Sequence, residues 1–300
     1  MLAVRGLLPA YGTIPITRLA APGWSTTVEQ ESEPTAWAPA AVAAMSLFHD
    51  VDSDGDSARA LRYLDWSAEA ESGIKHYAMA AHAARHPSGP ILDVGCGAGH
   101  DLGLLNSAGL RAVGLDPSAQ LLRTAAARAE RRRGGLVRGT GEDLPFVTSS
   151  FSGCRIERVL IHVADPSLVL SEAVRCLRPG GLITVFEPDW HGFEVRTELG
   201  VLLSGWIAGL RNPGIGGALW DLLEEAGCDV RDRLEELSVW RSLKVLDAVI
   251  GLRESVQRAV AAGRIDEQGA GAWLDEQISR ENDGTFNATI PKVLVVAVKR

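Results

Sequence analysis

The segment Ile91-Leu92-Asp93-Val94-Gly95-Cys96-Gly97-Ala98-Gly99 constrains the chain more than any other. A short, mostly apolar run passes directly into three glycines spaced by single residues, and an amphipathic segment follows. Glycines permit a tight turn and leave no Cβ in the way of a ligand, and the helix start beyond them presents unpaired N–H groups suited to an anionic group. Around this turn, between Pro90 and Trp190, apolar runs alternate with helical patterns. ILDV (91–94) precedes a helix to about 108, AVGL (112–115) a helix over about 118–132, GLV (135–137) and CRIERVLI (154–161) a helix over 166–177, and LITVFE (182–187) closes the series. Such alternation predicts an α/β fold with a doubly wound parallel sheet and helices on both faces. Asp165-Pro166 supplies a helix cap with proline at the first helical position, and Pro179-Gly180-Gly181 stops the helix before the next strand.

Length and composition set the outer limits. A chain of 300 residues can hold one large domain or two small ones, and it lacks an apolar run of the roughly 18–20 residues that a bilayer crossing needs. A net charge of −8 argues against an extended nucleic-acid surface and points to small neutral or cationic substrates. The four cysteines, at 96, 154, 176 and 228, form no CxxC pair, so neither a zinc site nor a disulfide scaffold is signalled, and a reducing, cytoplasmic setting is expected. Residues 1–44, rich in Ala, Pro and Thr, read as a flexible tail, and 45–89 as a helical lid, with helical spacing over about 58–85. The acidic run at 50–57 lacks the glutamate a calcium loop needs at its twelfth position and reads as a solvated turn. Arg131 to Arg133 read as a solvated helix end. Beyond Trp190 the pattern gives helices at about 196–209 and 216–226, a strand over 229–240, a helical insertion at about 241–285 and a last strand at 293–298.

Asp116 lies 21 positions after Gly95, at the end of the second apolar run. A carboxylate there can accept two hydrogen bonds from paired ribose hydroxyls, which indicates a nucleoside ligand. Nicotinamide dinucleotides and S-adenosylmethionine (SAM) share this arrangement. The dinucleotide fingerprint wants a third glycine where His100 stands, which weakens the pyrophosphate reading.

In order and spacing, ILDVGCGAGHDL, VGLDPS, GEDLPF, HVADP and LRPGGLITVFEPDW resemble the class I SAM-dependent methyltransferases that act on small molecules. The likeness covers about 60–190 and extends loosely to the end, where AGRIDEQGAGAWLDEQ and the final strand resemble the actinobacterial members with an ERVLxH segment. It implies a Rossmann-like, seven-stranded sheet with an antiparallel last strand and a helical cap. It implies that Asp93 and the turn Gly95, Cys96, Gly97 and Gly99 surround the methionine part of SAM. Asp116 and Pro117 would then face the ribose, and Gly141, Glu142, Asp143 and Glu157 would complete the cofactor site. Where the family carries an acid against the adenine amine this chain has Thr140, and the usual acid after Phe151 is Ser152.

Methyl transfer is an in-line displacement, so positioning dominates, and an oxygen or nitrogen nucleophile can also need a base. His162 is the first candidate base and His191 the second, since imidazole titrates near neutrality. Arg158 and Trp190 are pocket candidates. Each has a plain alternative: His162 could close a turn, His191 and His100 could be loop residues, and Glu157 and Arg158 could simply pair. Of the eight tryptophans, only Trp190 falls where a substrate is expected. Two other readings stay open: a methyltransferase-like scaffold that binds SAM without transferring methyl, as a cyclase or ligand-binding module, and a nicotinamide-dependent oxidoreductase. No metal is expected.

Overall fold

The computed structural model describes residues 72–85, 89–128, 134–198, 210–261, 263 and 265–300, together with Asp52, Leu61, Leu64 and Asp65. The expected tail, most of the acidic turn, most of the first part of the expected lid, the Arg131 to Arg133 run and all but the first three residues of the expected helix at 196–209 lie outside them. In chain order the elements are α1 (Ser72–Ala84), β1 (Ile91–Val94), α2 (His100–Ser107), β2 (Ala112–Asp116), α3 (Ala119–Arg128), β3 (Leu136–Arg138), β4 (Phe151–Glu157), α4 (Pro166–Cys176) and β5 (Leu177–Pro188). A 3-10 turn at Trp190–Gly192 leads to β6 (Glu194–Val195), then α5 (Ile215–Glu225), β7 (Cys228–Trp240), α6 (Leu243–Ile250), α7 (Leu252–Ala261), α8 (Glu267–Asn282) and β8 (Ala288–Lys299).

The strands form one sheet in the order β3-β2-β1-β4-β5-β8-β6, with β7 on the free flank of β8. β1 to β5 are mutually parallel, and β8 runs antiparallel to both β5 and β7. The sheet therefore has eight strands, not seven. The additional one is the two-residue β6, which pairs with the start of β8 after the 3-10 turn brings the chain back.

Period-two alternation puts opposite faces of each strand under different helices. In β5, Ile183 and Val185 join the large core that also holds Val169 and Leu170 of α4 and Leu219 and Leu223 of α5. Leu182 and Phe186 turn the other way, packing with Leu294 and Val296 of β8 against Ile74 and Ala78 of α1. In β1, Ile91 packs with Leu102 and Leu105 of α2, whereas Leu92 and Val94 face the large core. Each such fully buried aliphatic side chain contributes about 1.5–3 kcal/mol over an exposed one.

The local signals act as expected at α4, where the Asp165 side chain accepts from the Leu168 N–H at 3.0 Å and Pro166 opens the helix. They mislead at β4. The apolar run to 161 suggests a long strand, but the strand ends at Glu157 because Arg158 takes a left-handed conformation, φ 54°. Among the described residues no helix is long and apolar enough to cross a membrane.

Candidate active site

In open α/β sheets ligands bind beyond the carboxyl ends of the strands, where the strand order reverses. Here the order reverses between β1 and β4, and a cavity of about 510 Å³ opens at that edge. The glycine turn forms its floor. Gly95, Gly97 and Gly99 all have left-handed φ, at 70°, 51° and 79°. The amides of Gly95 and Cys96 donate to the Leu115 carbonyl at 2.8 and 3.0 Å, fastening the turn to β2. A Cβ on Gly99 would stand 2.8 Å from that of Ala125, so α3 packs directly on the turn.

Asp116, the last residue of β2, joins this floor from the neighbouring strand. Its Oδ2 accepts from the Gly97 N–H and its Oδ1 from the Ser118 N–H, both at 2.9 Å. Burial pushes its carboxyl above the ordinary value, and the two amide bonds oppose the shift. The α3 start is capped from far upstream. Asp52 accepts from the Ser118 hydroxyl at 2.6 Å and from the Ala119 and Gln120 amides at 2.9 and 3.2 Å. Those bonds, the Ser118 hydroxyl first, hold its carboxyl below the ordinary value. A carboxylate at a helix start also meets the positive end of the helix dipole.

Leu64 and Asp65 lie beside the turn and the helices that follow it. A Cβ on Gly97 would lie 3.3 Å from Leu64. Asp65 pairs with His100 at 2.8 Å and Arg128 at 2.7 Å, bridging α2 and α3.

Beneath the turn lies a buried charge network that no sequence motif announces. Asp93 of β1 and Arg155 of β4 are register partners, joined at 2.9 Å. Arg155 also reaches Asp101 at 2.9 Å and makes a short contact with Glu157. Lys75 of α1 pairs with Glu157 at 2.7 Å and Asp101 at 3.4 Å, and Arg158 meets Glu157 at 3.3 Å. Burial lifts the Asp93 carboxyl to about 6 against the pull of Arg155. Burial acts in the same direction on Asp101, but Arg155 and Lys75 outweigh it and hold that carboxyl at about 2. One oxygen of Asp93, Oδ2, is buried without a hydrogen-bond partner.

Of the residues singled out by sequence, Gly95, Cys96, Gly97, Asp116, Pro117, Gly141, Glu142, Glu157, Arg158, His162 and Trp190 line the cavity. Asp93, Gly99, Asp143 and His191 do not. Asp93 is in the network below, Gly99 is turned against α3, and Asp143 is exposed beside its bridge to Thr140. His191 sits exposed in the 3-10 turn with its ring over the backbone of Gly214, away from the cavity, which removes it as a base candidate. His162 is half-buried, and its amide closes a turn onto the Val159 carbonyl at 2.9 Å. Glu157 and Arg158 do pair, but Glu157 is held chiefly by Lys75 and Arg155.

Sequence reasoning missed Lys75, Asp101, Arg155, Arg211, Trp240 and Lys292, all of which line the cavity. Trp240, at the end of β7, is buried in the large core and also lines the cavity. Arg155 did leave a trace, a cation in the middle of an otherwise apolar strand, which cannot be buried without partners.

The glycine turn, the carboxylate ending β2 and a sheet of parallel strands with β8 inserted antiparallel define a class I methyltransferase fold. Residues 92–185 match the family described as a methyltransferase domain. An uncharacterised 37.1 kDa protein from a transposon of Streptomyces fradiae is 35% identical over 246 residues, covering 78% of this chain and 70% of that protein. An uncharacterised methyltransferase of Mycolicibacterium gilvum is 37% identical over 121 residues, covering 40% of this chain and 47% of that one. The match thus spans about half the length of the mycobacterial relative. Among solved structures, a putative methyltransferase from Bacillus halodurans superposes with a TM-score of 0.50 at 17% identity, covering 70% of this chain and 92% of that one. The YcgJ protein of Bacillus subtilis gives 0.50 at 14% identity, covering 75% and 99%. Residues 92–185 thus carry the methyltransferase domain of a SAM-dependent enzyme.

Proposed function

We propose that the protein transfers the methyl group of SAM to an oxygen, nitrogen or carbon nucleophile of a small organic molecule in specialised metabolism. The observation that carries this reading is the direct hydrogen bond between the Asp116 carboxylate and the Gly97 amide, at the floor of a cavity of about 510 Å³. It joins a hydroxyl-binding acid to a turn that a ligand can approach closely.

The residues present suit the cofactor. Asp116 offers carboxylate lone pairs to ribose hydroxyls, the turn amides offer donors, and the buried Asp93 Oδ2 is an acceptor still without a donor beneath the methionine end. When bound, SAM supplies an electrophilic methyl on a sulfonium. The glycine turn and Asp116 orient the cofactor, with Gly141 and Glu142 along the adenine side. Glu142 is held in place by the Ala164 amide at 3.3 Å. Leu64 contributes an apolar wall beside the glycine turn, while Asp65 ties His100 to Arg128 at the surface. His162, beside the end of β4, is positioned to take a proton from a hydroxyl or amine acceptor at its ring nitrogen.

Calorimetric titration with SAM and S-adenosylhomocysteine tests the cofactor reading; NAD binding with SAM indifferent would replace it. Incubation with methyl-labelled SAM and a panel of acceptors tests turnover, read as S-adenosylhomocysteine release. Tight binding with no release on a broad panel would assign the chain to a ligand-binding or cyclase role.

A further inference from the structure

Residues 158–165, which follow β4, belong to no strand or helix, and side chains from elsewhere in the chain hold their backbone. Glu187, at the end of β5, takes the amides of Val159 and Leu160 at 2.8 and 2.7 Å. Asn212, just before α5, takes the carbonyls. Its Nδ2 donates to Leu160 at 2.7 Å and to Val163 at 2.9 Å, and its backbone N–H donates to Ile161 at 3.3 Å. Both side-chain partners are carbonyl oxygens, so the amide group has to present its nitrogen, and both protons of that nitrogen are used. Leu160 and Ile161 are buried, and buried backbone groups require partners, so these bonds select the conformation of the segment.

The segment carries part of the cavity. Val159 lies against the glycine turn, where a Cβ on Gly95 would clash with it. Val159, Ile161, His162 and Val163 line the cavity, whereas Asn212 and Glu187 do not. His162 stands between the two carbonyls that the Asn212 Nδ2 holds. Pro213, the next residue along, accepts the Trp190 amide at 2.8 Å, so the same short stretch also holds the 3-10 turn after β5. Asn212-Pro213 thereby sets the spacing between His162 and Trp190, which come from turns after two different strands.

We infer that Asn212 is a positioning residue for methyl transfer: it fixes where the His162 ring stands relative to Trp190 and touches neither cofactor nor acceptor. This rests on the reading of His162 as proton acceptor given above and adds the group that places it. The cofactor floor is held separately, by the Asp116 bond to Gly97 and the bonds of the glycine turn to Leu115. Loss of Asn212 therefore falls on proton transfer and the acceptor wall and spares the cofactor.

Two variants test the inference. Asn212→Asp keeps the shape and removes both side-chain donors, and Asn212→Ala removes them without adding charge. The ring Cε1–H resonances of the histidines, followed by NMR at one pH and assigned with His162→Asn and His100→Asn, report on the two ends of the cavity. In both variants the His162 resonance is expected to move and that of His100, beside the glycine turn, to stay. Affinity for S-adenosylhomocysteine by calorimetry is expected to remain within about twofold of wild type. With an acceptor found in the labelled-SAM panel, both variants are expected to lower kcat about 10–100-fold at unchanged KM for SAM, the scale of loss for a misplaced reacting group. If one variant fails to fold, the other decides. A His162 resonance that does not move, equal movement of His100, loss of S-adenosylhomocysteine affinity, an unchanged kcat or unfolding of both variants overturns the inference. If S-adenosylhomocysteine fails to bind the wild type, or His162→Asn keeps full turnover, the cofactor or base reading falls instead, and the His162 resonance still decides whether Asn212 sets the ring.

Discussion

Glu187 offers the sharpest test of how the catalytic edge is held. Its side chain is fully buried at the end of β5, and Oε1 accepts the amides of Val159 and Leu160 at 2.8 and 2.7 Å. Those amides follow Arg158, whose left-handed φ of 54° is unfavourable for a residue with a Cβ, so Glu187 braces a strained turn that carries a cavity wall. Glu187→Ala leaves two buried donors unsatisfied at about 1–3 kcal/mol each, hence about 2–6 kcal/mol of lost stability before any cavity cost. Glu187→Gln keeps the accepting oxygen and is expected to cost about 1 kcal/mol or less at pH 6.

The pH dependence has a definite sign. Burial lifts this carboxyl from 4.5 to about 8, against the pull of the amides and Arg158. Between those values the folded state holds more protons than the unfolded state, so the Glu187 contribution to stability is greatest below pH 4.5 and declines as pH rises through 8. A displacement of that size is worth a few kcal/mol, at about 1.4 kcal/mol per unit. Urea denaturation of wild type and Glu187→Gln across pH 5 to 9 isolates the effect as a difference, which is expected to move in favour of the glutamine variant as pH increases. A difference that stays flat, or an alanine variant as stable as the glutamine one, would refute the reasoning.

Asp116→Asn removes a carboxylate from the ribose side and is expected to weaken SAM binding by about 10–100-fold, measured by calorimetry, since hydrogen bonds to charged groups are worth about 1.5–3 kcal/mol. Arg155→Leu strands Asp93, Asp101 and Glu157 around an apolar side chain and is expected to cost about 3–5 kcal/mol in urea denaturation. Gly99→Ala combines a left-handed φ of 79° with a Cβ 2.8 Å from Ala125, so a loss of about 1–3 kcal/mol is expected in thermal unfolding. His162→Asn is expected to lower turnover on hydroxyl or amine acceptors and to remove a limb from the pH–rate profile; an unchanged rate and profile would exclude it as the base.

What could be read in advance follows from how local each signal is. The turn at 95–99 is legible because glycine spacing, strand and helix pattern are contiguous, and Asp116 because β2 follows within one crossover. The cap at Asp165-Pro166 works within a single helical turn. Features built by chain segments distant in sequence were illegible. Asp52 caps a helix 66 residues away, Lys75 reaches β4 from α1, and Trp240 and Lys292 reach the cavity only because β8 inserts between β5 and β7. His191 fails for a related reason. Trp190 and His191 both follow β5, but successive residues in a 3-10 turn point in different directions, burying the tryptophan and exposing the histidine.

The buried network gives α1 and the cavity floor a common physical basis. Its six charged groups, Lys75, Arg155 and Arg158 with Asp93, Asp101 and Glu157, balance in sign and come from α1, β1, α2, β4 and the turn after β4. Apolar residues of the same volume would be as stable or more so, since desolvating ions is costly. What charges add is geometry: each carboxylate is satisfied only when its partner's element is in register, so displacement of α1 leaves Glu157 and Asp101 short of a cation. Helix α1, packed on the sheet, and the strand ends that line the cavity are thereby fixed to one another, so the charged groups beneath the glycine turn are already oriented.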